Sequence, residues 1–309
     1  MNFNAGWHDR NLFGNAEQLN LTAQAQLGGN ALNRPGYQFG AQFIKPDFLA
    51  RDQSLEFDLN AIKQDLQAYN QNALTEKAVI NRKLSAYWAL SGGIAAEQEE
   101  ITQEGVTRNY DLIGMPLSVK YDSTASLLDP TSGMRAALSL TPTAALGSRN
   151  SGFVIAQLSG STYFDFDSQG RSVLALRGLI GDISGTDVFG LPPDQRFYAG
   201  GSATVRGYRY QSVSPLFPDN KPIGGTRIAA GTAEFRQRII GNYGAVAFID
   251  AGEVVASGIN QSSGVRVGAG VGFRYYTGFG PIRLDVAVPL DREHGGDAFE
   301  LYIGIGQAF

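Results

Sequence analysis

Apolar and polar residues take turns, one by one, along nearly the whole of this chain. Leu19, Leu21, Ala23, Ala25 and Leu27 alternate with Gln18, Asn20, Thr22, Gln24 and Gln26. Neighbouring side chains of a strand point to opposite faces, so the run predicts a strand with one apolar face and one face of amides. Tyr37, Phe39, Ala41 and Phe43 repeat the pattern, as do Leu55, Phe57 and Leu59 against Glu56, Asp58 and Asn60. The phase slips near Ala61 and Ile62, which predicts either a bulge or the end of an apolar band. Further strands are expected within 73–107, broken near Ser85, and over 110–121, 134–146, 153–166 and 173–183. Beyond a long interruption come 226–240, 243–255, 265–276, 282–290 and 299–309. The total is about fifteen strands.

Two kinds of fold use this much alternation. In a soluble sandwich the apolar face points to a core; in a barrel set in lipid it points outward, and the polar face lines a wet lumen. No run of about 18 apolar residues occurs, so no transmembrane helix is indicated. Val265, Val267, Ala269, Val271 and Phe273 oppose Arg266, Gly268, Gly270, Gly272 and Arg274, and a glycine-lined face suits crowded packing inside a lumen. Links alternate between tight (Gly241-Asn242) and longer (291–297), an asymmetry expected of outer-membrane barrels. No blade-length repeat supports a propeller. The expected fold is therefore all-β, a transmembrane antiparallel β-barrel in the bacterial outer membrane. Bacterial single-chain barrels have even strand numbers, so a count of about fifteen implies that two strands are merged or one is missing.

The rest of the composition mostly excludes. A formal net charge of -4 gives no basic footprint for nucleic acid, and Cys 0 removes disulfides, thiol catalysis and cysteine metal sites. The two histidines, His8 and His294, have no neighbouring ligand at metal spacing and no fixed serine partner. Glycine pairs such as Gly200-Gly201 open no helix and are not phosphate cradles. No catalytic residue, metal or cofactor is expected. Glu97, Glu99, Glu100 and Glu104 read as a solvated loop or strand end. The first residues carry no basic stretch followed by an apolar one, so no signal peptide is expected at the start of this sequence.

The interruption, about 185–225, is rich in Gly and Pro and contains FYAGGSATVRGYRY from Phe197 to Tyr210. Loops this long inside a compact domain tend to be functional. Gly200, Gly201 and Gly207 permit tight folding around Arg206, which Val205 and Tyr208 flank. The pattern suits a loop that folds inward with an arginine in search of an acidic partner; the other reading is a surface loop with an incidental arginine. Glu234 lies mid-strand on the face of Thr232, Arg236 and Arg238. Asp250 lies on the next strand, with Phe248 and Val246 on its face. A carboxylate turned to lipid is costly, so both are expected inward. There they either grip Arg206 together or simply face a wet lumen.

The combination of Val205-Arg206-Gly207-Tyr208, then Glu234, then Phe248, Asp250 and Gly252, then a final strand ending in Phe309 resembles the barrel domain of the BamA/TamA outer-membrane insertase superfamily, which also includes two-partner secretion transporters. Phe197-Tyr198-Ala199-Gly200-Gly201 and Leu128-Asp129-Pro130-Thr131-Ser132-Gly133 look most like its TamA-like branch. The resemblance covers 1–309 and implies a sixteen-stranded barrel, with the loop in the lumen and Arg206 bound by Asp250 and Glu234. It also implies an unstable seam between the first and last strands where client strands enter the bilayer sideways. Phe299, Leu301, Ile303, Ile305 and Phe309 would then face lipid, and Gly304 and Gly306 either weaken the seam or allow lumen packing. The family's POTRA domains are absent from this sequence, and Phe3 to Arg10 resembles the family's second strand, which makes the count sixteen less the first.

The resemblance implies a TamA-like assembly or translocation factor that inserts client β-barrels or autotransporters, without covalent chemistry. Its expected partners are the lipid bilayer, client outer-membrane proteins and a periplasm-spanning protein, with no nucleic acid. The rival readings are a two-partner secretion pore exporting a soluble protein, a passive porin, and a soluble β protein.

Overall fold

The computed structural model describes residues 2–26, 35–148, 150–292 and 296–309. His294 lies outside the described residues. The strands are β1 Asn2–Asp9, β2 Gln18–Gln26, β3 Gly36–Lys45, β4 Gln53–Asp65, β5 Asn70–Lys83 and β6 Trp88–Gln103. They continue with β7 Val106–Gly114, β8 Leu117–Asp122, β9 Gly133–Gly147, β10 Ser151–Asp165 and β11 Ser172–Ser184. After the long loop come β12 Arg227–Ile240, β13 Tyr243–Ala256, β14 Gln261–Ser262, β15 Arg266–Thr277, β16 Gly280–Pro289 and β17 Glu300–Ile305. Two short 3₁₀ turns, Val188–Gly190 and Pro193–Gln195, are the only helical pieces among the described residues.

Among the described residues, seventeen strands stand where the alternation predicts about fifteen. One expected strand is split into β7 and β8 at Pro116, which has no N–H to give to a ladder. The backbone N–H of Gly93 still reaches the Pro116 carbonyl at 3.1 Å. The other addition, β14, has two residues. The phase slip at Ala61 and Ile62 is not a bulge: β4 pairs with β5 in one continuous register from Gln53↔Arg82 to Asp65↔Asn70.

Two compact units divide the chain, one of residues 1–119, 139–156 and 183–196, the other of 120–138, 157–182 and 197–309. In the first, β1 to β7 pair antiparallel in sequence order. Their apolar face is exposed at Trp7, Leu21, Phe39, Phe57, Leu59, Leu74, Ile80 and Ile94. The opposite face is a ladder of amides and acids: Asn20 Nδ2 donates to Gln42 Oε1 at 2.9 Å, Gln42 Nε2 to Glu56 Oε1 at 2.7 Å, and Gln71 Nε2 to Glu99 Oε2 at 2.7 Å. Glu97 and Glu99 belong to this inner face and Glu99 is buried, so the reading of the glutamate tract as solvated holds only for Glu100 and Glu104.

In the second unit β11, β12, β13, β15, β16 and β17 pair antiparallel in turn. One face again exposes large apolar groups, among them Phe235, Ile249, Val271, Phe273, Leu284 and Val286. The other is covered by the long loop. Ala199, Val205, Tyr208 and Val213 from the loop bury themselves with Ile228 of β12 and Val254 of β13, and Leu179 and Phe197 pack against them. Apolar groups turned outward around a polar or filled interior are the arrangement of a strand-built membrane protein, the reverse of a soluble core.

Candidate functional site

The loop is internally tied before it meets the sheet. Phe197 bridges Gly225, Ala199 bridges Val213 and Leu216 bridges Pro222. Gly200 and Gly201 take φ of 102° and 84°, which lets the chain fold back so that Gly201 N–H donates to the Tyr208 carbonyl at 2.9 Å. Gly207 has φ 95° and lies so near β16 that an added Cβ would stand 2.7 Å from the Val288 carbonyl carbon. Its N–H donates to Tyr302 Oη at 3.1 Å, and Tyr208 Oη donates to the Asp291 carbonyl at 2.9 Å. Val205 is fully buried, and Gly252 leaves room for it: a Cβ there would be 2.7 Å from Val205 Cγ2.

This folding delivers Arg206 into the strands. Its Nε and Nη2 grip Asp250 bidentately at 2.7 and 3.0 Å, and its own backbone N–H donates to Asp250 Oδ2 at 3.0 Å. Nη1 reaches Glu234 Oε2 at 2.8 Å and Asp285 Oδ2 at 3.4 Å. The guanidinium carbon stands 3.4 Å from the centroid of the Phe248 ring, which completes the socket with a cation–π face. The glycine face of β15 makes this possible. A Cβ at Gly268 would lie 1.8 Å from the Arg206 carbonyl oxygen, and one at Gly270 2.3 Å from Phe248 Cζ.

The sequence-predicted trio is thus brought together, but it sits in a larger network. Arg236 Nε donates to Glu234 Oε1 at 2.9 Å, and Arg274 Nη1 donates to Asp285 Oδ1. Three arginines (206, 236 and 274) face three carboxylates (Glu234, Asp250 and Asp285), all at most 3% exposed. Charges this deep persist only when paired and hydrogen-bonded, and here the formal charges cancel. Sequence reasoning missed Asp285 and Arg274 as members of the group. The signal was present: Asp285 alternates with Leu284 and Val286 on β16, so it had to face the same side as Glu234 and Asp250.

The network continues to the end of β17. Arg274 Nε donates to Gln307 Oε1 at 2.8 Å, Gln307 Nε2 to Asp129 Oδ1 at 3.0 Å, and Arg238 Nη2 to Asp129 Oδ2 at 2.7 Å. Gln307 N–H donates to the Leu128 carbonyl at 2.8 Å. Arg236 Nη1 and Nη2 donate to the carbonyls of Pro130 and Phe309 at 3.2 and 3.0 Å. The Leu128–Ser132 turn is therefore a clasp on the last strand.

Phe299, Leu301, Ile303 and Ile305 are exposed, as expected of lipid-facing residues. Phe309 is not among them. Gly306, at φ 89°, ends the strand and turns the chain, so Phe309 stacks on Tyr163 at 6.3 Å under the guanidinium groups of Arg236 and Arg177. Gly304 and Gly306 meet Arg283 and Leu128, the close packing foreseen as one of their two roles.

Residues 11–309 match the model of the Omp85 superfamily domain. Among solved structures, BamA from Haemophilus ducreyi lacking POTRA domains 1–3 is similar at 16% identity and a TM-score of 0.79, over 97% of this chain and 66% of that one. CdiB from Acinetobacter baumannii is similar at 16% identity and a TM-score of 0.67, over 96% and 55%. CdiB from Escherichia coli matches at 14% identity and 0.67, over 98% and 58%. At these identities the likeness is one of fold, and the chain spans two thirds or less of each of those proteins. With the family model covering nearly its whole length, the chain belongs to the Omp85 superfamily and is a bacterial outer-membrane β-barrel protein.

Proposed function

We propose that this chain is the membrane-embedded part of a TamA-like assembly factor, which helps other outer-membrane proteins into the bilayer through a seam bordered by its last strand. It carries out no covalent chemistry and uses no cofactor. The observation that carries this reading is the pinned loop. Arg206 is held by three carboxylates in the interior of the second unit, so a client has reason to use a strand edge rather than a central path. The edge is suited to that use: β17 is a six-residue strand that pairs with β16 only from Ile282↔Ile305 to Ala287↔Glu300. A short edge adds a foreign strand by main-chain hydrogen bonding.

The test is folding of an unfolded outer-membrane barrel added to lipid vesicles that hold this chain, with a photo-cross-linker at Leu301. Faster client folding than in empty vesicles, with client cross-linked at Leu301, is expected. Export of a soluble partner without that cross-link would favour a two-partner secretion pore. Steady conductance indifferent to Arg206→Ala would favour a diffusion channel.

A further inference from the structure

A second group of ionisable side chains lies apart from the arginine network. Glu97 and Glu99 are two apart on β6 and share its inner face, and Asp194 comes from the 3₁₀ turn Pro193–Gln195 at the start of the long loop. Carboxylate oxygens from the three lie within 4.8 Å of one another. Amide donors reach only one oxygen of each group. Gln71 Nε2 donates to Glu99 Oε2, and Gln195 Nε2 donates to Glu97 Oε2 at 3.3 Å and to Asp194 Oδ2. Glu99 is 6% exposed, yet its Oε1 is buried with no donor, and the same holds for Asp194 Oδ1. Arg196 is close in sequence, but its guanidinium donates to Gln103 Oε1 at 3.0 Å and to the Leu191 carbonyl at 2.8 Å. Even counted in full, one guanidinium leaves two negative charges over. Carboxylates this close do not all ionise unless a cation or a shared proton stands between them.

We propose that Glu97, Glu99 and Asp194 form a site for a divalent cation of the calcium class. The donor set is all oxygen, which selects hard cations over zinc or copper. It joins a strand to a loop turn, and calcium tolerates such irregular coordination better than magnesium. Gln71 and Gln195 hold one oxygen of each carboxylate and leave the other without an amide donor, as supporting groups do around ligating side chains. The ion would tie the start of the long loop to β6. That connection is independent of Arg206, which secures the same loop further along.

Terbium alone serves as the probe. Tyr110 lies opposite Glu99 in the β6–β7 register and is placed to sensitise its luminescence. The chain, refolded in detergent and stripped with EDTA, should show saturable terbium luminescence that calcium displaces in a range of roughly 10⁻⁴–10⁻³ M. Glu99→Gln and Asp194→Asn should each weaken binding at least about tenfold. Calcium should also raise the temperature at which the wild-type compact band is lost on a cold gel, relative to EDTA. The absence of saturable luminescence, or equal affinity in both variants, would overturn the site in favour of a shared proton. Displacement by magnesium as readily as by calcium would overturn the calcium class. If the variants do not refold, the wild-type comparison decides: a transition temperature identical in calcium and EDTA sinks the proposal.

Discussion

Arg206 is held by five hydrogen bonds to carboxylates, its own backbone N–H included, and faces an aromatic ring. Removing one partner of such a buried pair leaves a charge uncompensated, so Arg206→Ala and Asp250→Ala should each cost about 3–5 kcal/mol. The double variant should cost far less than their sum, measured by urea unfolding from detergent micelles with loss of the compact gel band as the readout. Arg206→Lys should rescue little, because a single ammonium cannot fork onto Asp250 and reach Glu234 together. Gly268→Ala tests the same socket from the other side. Its Cβ would meet backbone, so the strain should exceed the roughly 1–3 kcal/mol of ordinary overpacking and expose the loop to protease. At the exposed end of the loop, Arg209 Nη2 donates to Asp297 Oδ1 at 2.6 Å. The bond to Arg209 lowers the pKa of Asp297 below the ordinary carboxylate value. The stability this tether adds is therefore present above the unfolded pKa and is lost as the pH falls through the lower, folded one. Both partners are nearly half exposed, so Asp297→Asn should change stability by less than about 1 kcal/mol while quickening proteolysis of the loop at neutral pH.

Alternation made most of the strands legible, because a period of two marks a strand whether its apolar face meets a core or lipid. The cost of a carboxylate in lipid placed Glu234 and Asp250 on inner faces, and the glycine-flanked Arg206 pointed to them. Alternation failed where a local break resets the phase. Phe309 continues the odd-numbered outward series of β17 on paper, but Gly306 turns the backbone and the ring goes inward. The glutamates of β6 were misread for a different reason: charge in a row looks solvated, although Glu97 and Glu99 are two apart and must share a face. The clasp at the end of β17 was also out of reach, since Leu128, Asp129 and Pro130 meet Gln307 and Arg236 only in the folded chain. Gln307→Ala removes the Arg274 and Asp129 contacts while keeping the backbone bond to Leu128. It should speed amide exchange in β17 with little change in β13, as judged by hydrogen exchange with mass spectrometry; uniform acceleration across both strands would point instead to global loosening.

Across the molecule, the outward faces of both units carry a band of exposed aliphatic and aromatic groups. Val271, mid-strand on β15 and exposed, should lie within the hydrocarbon layer. Val271→Arg is then expected to cost about 2–4 kcal/mol of folding free energy in vesicles, far more than an exposed substitution costs in water, and equal stability of the two forms would remove Val271 from lipid. The buried arginine network has a further consequence, for ions. With the loop seated, three arginines balance three carboxylates. Should the loop withdraw, Arg206 leaves with it, while Arg236 and Arg274 stay on Glu234 and Asp285, and Arg177 and Arg283 remain within electrostatic reach of the same carboxylates. Any permeation path uncovered in that way would be lined by four arginines against Glu234, Asp250 and Asp285 and would favour anions. Planar-bilayer recordings of Arg206→Ala under a salt gradient should show an anion-selective reversal potential, because the wall keeps its other arginines when the residue that seats the loop is removed.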